Sequence, residues 1–478
     1  MASSNSLEVR ECFAMPERIL TSTARWWVFA AILTADVLDL LSTTVTNIAA
    51  PSIVTQLHAP QSLAPWLGSS YALALGSILV IGGRFGDKYG YRRLFLIGLV
   101  GFTAASLLCA LAWDPVSIVT ARVVQGAFGA LLIPQGFSIL IRVFPREHLG
   151  RVFGLFGPIM GLSSISGPVL AGLLIQADPL GLGWRSVFFI NVLLGITLMI
   201  VSLTLLPRYE GRPSIRIDAV AAGLLMAGTL AVLGGIIQGA NGGWSALPVG
   251  AIAVGAVLLA VFVVHQRRST NPLLAPALFR NRSFVAGLIV GAVFFAAVAG
   301  LLYVTSLYLQ EGHHLSPLEA AGTMAPMSVG IIVASFSMRG LIDRLGRRLV
   351  ALGLALVGLG TISYLILVMT IPDTTWLLVF PLLVCGLGMG CCFGSIFAVA
   401  LGDVDEEQAG SASGTLNAVQ QVANSVGSAV VSTVFLATIT MGVQHAASTS
   451  LIFVLVAIVL CACCLPLLPQ KATADNWG

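Results

Sequence analysis

Twenty-two of the 24 Lys and Arg residues fall in alternate connections between fourteen apolar runs. They occupy the N-terminal segment (Arg10, Arg18, Arg25), the segments 84–93, 142–151, 208–216, 267–282 and 339–348, and the tail at Lys471. The intervening connections hold only Arg185, and Arg122 lies inside an apolar run. Folding in water gives no reason for this alternation. Insertion into a bilayer does, because short loops rich in Lys and Arg stay on the cytoplasmic side. The pattern predicts a polytopic membrane protein with both termini in the cytoplasm.

Charged residues make up 9% of the chain and hydrophobic ones 57%, against roughly 25% charged in an average soluble domain. A crossing helix needs about 20 apolar residues. The spans are expected at 26–50, 65–83, 94–112, 115–141, 152–175, 186–206, 218–238, 246–265, 284–309, 319–339, 349–370, 376–400, 410–436 and 449–468, leaving no room for a soluble domain. They should be helical, since hydrocarbon cannot solvate free backbone groups. Trp26, Trp27, Trp184, Trp244 and Trp376 sit near span ends, where amphipathic rings favour the interface. The first apolar run exceeds the roughly 7–15 residues of a signal-peptide core, so it reads as a permanent span. The net charge of +4 needs no nucleic-acid partner, because the basic residues lie where topology puts them. Most of the eight Cys fall inside spans, and no HxxxH or HExxH pair occurs, so no metal site is expected. A GxxxxGK[ST] loop is also missing, which argues against direct use of ATP.

The chain repeats itself. GRFGDKYGYRR (Gly83 to Arg93) joins spans 2 and 3, and IDRLGRRL (Ile342 to Leu349) joins spans 10 and 11. Asp87 and Asp343 each precede a Gly by three residues, and they stand 256 residues, or eight spans, apart. Two six-helix halves with two extra helices between them give this spacing, and internal repeats of this kind build many secondary transporters.

At these residues the chain resembles the major facilitator superfamily, and within it the fourteen-helix drug:proton antiporter family. Gly83, Asp87, Gly90, Arg92 and Arg93 stand at the marked positions of the first signature, and ARVVQG supplies Arg122, Gln125 and Gly126 of a span-4 signature. GPIMGLSSISGPVLAGLL is similar to the antiporter signature of span 5, with Gly157, Gly161, Gly167, Pro168 and Gly172 in place. The match extends over nearly the whole chain. It departs at Ala171, where a Gly is common, and at Leu193, where many members have Pro. In span 1 the family usually carries an Asp nine residues before Pro51; here that residue is Ser42, with Asp39 and Asp36 one and two turns earlier.

The resemblance implies an all-α membrane protein of two six-helix bundles plus two extra helices. Its parts would be a cytoplasmic segment 1–25, bundles at 26–206 and 284–468, peripheral spans 7 and 8 within 207–283, and a tail at 469–478. It implies a monomer in the bacterial inner membrane that exports small amphipathic or cationic compounds against entering protons by alternating access, with no cofactor. The expected partners are the substrate, protons and the lipid bilayer. Uptake or facilitated diffusion of a metabolite is the alternative, kept open by Ser42. A membrane-embedded enzyme fits poorly, because no His/Asp/Glu cluster suited to catalysis appears.

An ionised side chain at a helix centre costs about 2.5–3.5 kcal/mol on insertion scales. Asp36, Asp39 and Arg122 are therefore the first candidates for proton coupling. On a helical wheel Asp36, Asp39, Thr43 and Asn47 share an arc of about 80°, with Ser42 roughly 60° beyond its edge. From the outer ends of their spans, Asp39 lies roughly 16 Å deep and Arg122 roughly 10 Å, so Arg122 is expected to reach toward Asp39. A static ion pair is the plainer reading. A proton carrier must change state: burial disfavours the ionised carboxyl, while an Arg favours it. Asp39 is the first choice and Asp36 the second.

Asp87 with Gly83, Gly90, Arg92, Arg93 and Asp343 is expected to act as a latch between the halves for the outward-facing state. In span 5 the small residues permit close helix approach and Pro permits bending. The resemblance adds a seal against proton leak. Asn417, Gln420, Gln421, Asn424 and Ser428 in span 13 fall within an arc of about 100°. Either interhelical hydrogen bonds satisfy them or they line a substrate path with Ser42, Thr43, Asn47 and Gln125. Asp218 reads as a helix cap.

Overall fold

The computed structural model describes residues 21–469, apart from 61–62, 156–162, 164–166, 168–169, 172, 176, 179–180, 209–210, 270–271, 275, 339–340, 342–344, 372–373 and 406–407. The longer helices are α1 Ser22–Gln56, α2 Leu63–Tyr89, α3 Tyr91–Ala110, α4 Pro115–Val143, α6 Arg185–Leu205, α7 Ala219–Gly242 and α8 Ala246–Arg268, then α9 Arg282–Leu307, α10 Pro317–Met338, α11 Arg347–Thr370, α12 Val379–Gly402, α13 Ala409–Thr438 and α14 Val443–Cys464. A short α5, Arg146–Gly154, leads into the fifth expected span, most of which lies outside the described residues. Among the described residues thirteen helices are long and apolar enough to cross a membrane, and no strand occurs.

Local chemistry sets the helix starts. Asp114 and Ser117 form a reciprocal capping box ahead of α4, with Pro115 in its first turn. Asn281 accepts from the Phe284 N–H at 3.1 Å to begin α9. Asp218 accepts from the Val220 and Ala221 N–H groups at 3.0 Å each, capping α7 as expected. Each cap satisfies first-turn N–H groups that have no acceptor within the helix itself.

The repeat is visible in the packing. α2 lies along α4, α3 packs on α4 and α6, and α1 meets α6. Eight helices later α10 lies along α12, α11 packs on α12 and α14, and α9 meets α14. Glycines permit the closest of these approaches. A Cβ at Gly126 would fall on the Tyr71 carbonyl of α2, and one at Gly386 on the Met327 carbonyl of α10. Gly90 and Gly346, 256 residues apart, both take left-handed backbone angles, φ +92° and +44°, which a residue with a Cβ adopts only under strain. Both turns lie at the end of the bundle where the basic connections gather, the basic end.

The halves meet along α2 and α13, with α4 also touching α13. α7 lies against both α2 and α13, across that seam, so it is not peripheral as expected. α8 is: it packs mainly on α7, and its buried residues are Pro248, Gly255 and Phe262. At the far end of this hairpin the Trp244 indole N–H donates to Thr433 Oγ1 of α13 at 2.6 Å. Trp184 departs from the interfacial expectation too, being buried edge-on against Phe188.

Candidate functional site

The capping box places Arg122 two turns inside α4, and its side chain is 0% exposed. Nη1 donates to Ser42 Oγ of α1 at 2.9 Å and to Gln125 Oε1 at 2.6 Å, and Nε donates to the Leu67 carbonyl of α2 at 2.9 Å. Gln125 Nε2 passes the network on to Ser106 Oγ of α3 at 2.8 Å. Four helices therefore converge on one guanidinium through neutral acceptors. Nη2 has no hydrogen-bond partner among the described residues.

The expected direct approach of Arg122 to Asp39 is not made. Tyr71 stands between them. The guanidinium lies over the Tyr71 ring, 4.3 Å from its centroid, and the Tyr71 hydroxyl donates to Asp39 Oδ1. The reason is axial position: α1 starts at the basic end, so Asp39 lies about 4.5 Å nearer that end than Ser42, and Arg122 spends its donors on the nearer hydroxyl. Tyr71 escaped the sequence reading, although a signal existed. A phenol buried in hydrocarbon needs a partner for its hydroxyl, and few spans offer one.

Asp36 and Asp39 face a cavity of about 100 Å³ between the halves. Across it α13 presents Asn417, Gln420 and Gln421. Asn417 Nδ2 donates to the Ser413 carbonyl of its own helix at 2.9 Å. The α13 stripe therefore faces the carboxylates, although Asn424 does not reach the cavity wall. Asp36 Oδ2 is buried without a hydrogen-bond partner among the described residues. Thr43 turns to the Asp39 carbonyl at 3.2 Å. Asn47 lies in α1, with its side chain outside what the structure describes.

Toward the basic end the cavity is floored by Phe137 of α4 and Phe397 of α12, stacked across the halves with centroids 5.3 Å apart and planes 21° apart. Ser413 Oγ reaches the Pro134 carbonyl at 3.1 Å. Beyond this, buried Asp87 of α2 accepts from Tyr91 Oη at 2.8 Å and from Ser411 Oγ of α13 at 2.9 Å, with Arg84 Nη1 at 3.5 Å. Gly83 sits directly on the Gly410 backbone. Gly90 supplies the turn described above. Arg92 Nη2 donates to the Leu203 carbonyl of α6 at 2.7 Å, within its own half, and Arg93 is exposed. So Asp87 and Gly83 join the halves, whereas the two arginines do not. Asp343, Gly157, Gly161, Pro168 and Gly172 lie outside the described residues, and Gly167 is buried.

The profile of the Major Facilitator Superfamily matches residues 32–428. The chain is 41% identical over 423 residues to a probable actinorhodin transporter of Streptomyces coelicolor, covering 86% of this chain and 72% of that protein. It is 32% identical over 413 residues to a tetracenomycin C resistance and export protein of Streptomyces glaucescens, covering 85% and 75%. Its fold is similar to that of the proton:xylose symporter XylE, with a TM-score of 0.66 at 14% identity over 95% of this chain and 98% of that one.

Proposed function

Because the chain belongs to the major facilitator superfamily, among its antibiotic-efflux transporters, we propose that it exports a small amphipathic or cationic antibiotic in exchange for protons by alternating access. One observation carries the reading. Two carboxylates of one half and three carboxamides of the other face a single space at the meeting of the bundles. Groups so placed can hold one ligand from both sides, and the ligand then biases how the halves sit. Among the described residues no Lys or Arg lines the space, which favours neutral or cationic compounds over anions.

On this reading the basic end is cytoplasmic, in accord with the distribution of Lys and Arg. The described conformation, closed there by Asp87–Ser411, Gly83–Gly410 and Phe137–Phe397, corresponds to an outward-directed or occluded state. Asp39 carries the proton. Binding of a proton there removes the charge that the Tyr71 hydroxyl serves, and Tyr71 lies under Arg122. The tie between α1 and the α2–α4 pair weakens, and the halves can reset. Asp36, with one oxygen unpartnered, is the group through which an arriving cation or proton reaches Asp39.

Expression in an efflux-deficient bacterium tests this. Accumulation of cationic dyes and antibiotics should fall, and a protonophore should restore it. Raised accumulation would instead mark the protein as an uptake system.

A further inference from the structure

Behind α13, on the side away from the carboxylates, lies a second space. It holds about 510 Å³, against about 100 Å³ for the carboxylate cavity. Pockets for drug-sized ligands run to about 300–1,000 Å³, so only the second space reaches that range. It is a groove walled by α2, α7, α8, α9, α13 and α14 through residues such as Val80, Thr229, Leu259, Ala296, Ala418 and Val422. Among the described lining residues hydroxyls occur only at Thr229 and Thr415, and the latter donates to the Ser411 carbonyl of its own helix at 2.7 Å.

Its position is more informative than its size. Leu79 lines the carboxylate cavity, while its neighbour Val80 lines the groove; Asn417 and Ala418 divide in the same way. The α2–α13 seam is therefore the partition between the two spaces. Toward the basic end the groove is stopped by a buried cluster of Ile81, Ala221, Phe262 and Leu273, against which the lining residues Leu225 and Leu274 pack. Val426, farther from that end and on the face of α13 opposite Asn417, is 38% exposed. Access is thus lateral, from lipid, and closed to the water at the basic end.

We propose that this groove is the intake site for a substrate dissolved in the bilayer, which lies between α7 and α13 until the seam parts. The proposal rests on the export reading above. Separation of α2 from α13 merges groove and cavity, so an amphipathic compound passes from hydrocarbon to the carboxylates without crossing water. It also gives α7 a task. By lying across the seam, and held to α13 at Trp244–Thr433, the α7–α8 hairpin forms the outer wall of the passage.

Ethidium monoazide, a flat amphipathic cation that couples to nearby side chains on illumination, is a suitable probe for the wild-type protein in proteoliposomes. Adducts are expected on the α7 and α9 peptides carrying Thr229 and Ala296, and excess ethidium should suppress them. Adducts confined to α1 and α12, or none, would overturn the proposal. In a second arm Thr229→Trp and Ala296→Phe fill the groove and leave the carboxylate cavity untouched. Each should raise the half-saturating ethidium concentration for export about 5-fold or more with little change in maximal rate, the pattern of lost binding. Unchanged export by both variants at normal membrane levels would assign the groove to a lipid acyl chain and sink the intake site. Failure of the wild type to export ethidium would count against the export reading alone, since the adducts still decide the groove.

Discussion

Arg122 donates to Ser42 across 2.9 Å, an ionised guanidinium on a neutral hydroxyl, with both side chains out of reach of solvent. In the family that this chain resembles, an Asp usually stands at the position of Ser42. Here the charge is carried by hydroxyl, carboxamide and carbonyl oxygens together with the face of Tyr71. Such a site depends on geometry, because no single neutral acceptor balances the cation.

Arg122→Lys should therefore fail despite keeping the charge. An ammonium cannot reproduce the planar set of donors that serves Ser42, Gln125 and Leu67 while stacking on a ring. Export in proteoliposomes is expected to drop about 10-fold or more, equivalent to roughly 1.4 kcal/mol, at wild-type membrane levels. Near-normal rates would show that charge alone suffices.

Asp39→Asn and Tyr71→Phe separate coupling from passage. The first removes the ionisable group; the second keeps the ring beneath Arg122 but deletes the hydroxyl donated to Asp39. Asp39→Asn should still equilibrate substrate down its gradient yet lose uphill export driven by an imposed pH gradient. Tyr71→Phe should show the same defect in part. Retention of full proton-driven export by Asp39→Asn would pass the role to Asp36.

Closure at the basic end can be read directly. A side chain at Gly83 would collide with the Gly410 backbone, so Gly83→Leu must push α2 from α13. Spin-label distances between the basic ends of those helices should lengthen and export should fall about 10-fold or more, because the packing interface has no slack for a large side chain. Ser411→Ala, which removes only one of the donors to Asp87, should cost far less.

Asp218 gives a pH dependence whose sign is fixed. The Ala221 N–H and then His265 hold its carboxyl below the usual carboxylate range. A depressed folded value means that its stabilising contribution is present above the unfolded value of about 3.9 and is lost as pH falls through the folded one. The melting temperature of the wild type should exceed that of Asp218→Ala at pH 7, and the difference should shrink as the pH falls below about 4. A difference independent of pH would deny the ionised cap its role.

The sequence conveyed the helical repeat because charge distribution and the spacing of Asp87 and Asp343 reflect insertion and duplication, both linear along the chain. It also marked Arg122, Asp39 and the α13 carboxamides, since polar groups in hydrocarbon stand out. Partners were harder to read. The depths of Arg122 and Asp39 could be counted, but the intervening Tyr71 depends on how α2 is rotated. The place of α7 was illegible for a related reason: lipid tails are as apolar as Leu, so a helix face against α2 and one against the bilayer carry the same residues.

The seam of α2 and α13 bounds a chamber that holds the carboxyls and carboxamides on one side and an oily one on the other. Small residues at that seam, such as Gly414 packed on Leu79 and Val80, must therefore hold back ions and lipid at once. Loosening it would first harm the host's energy supply. On the proton-exchange reading proposed above, a cell carrying such a variant would dissipate its own proton-motive force through this protein, and would grow poorly even in the absence of any antibiotic.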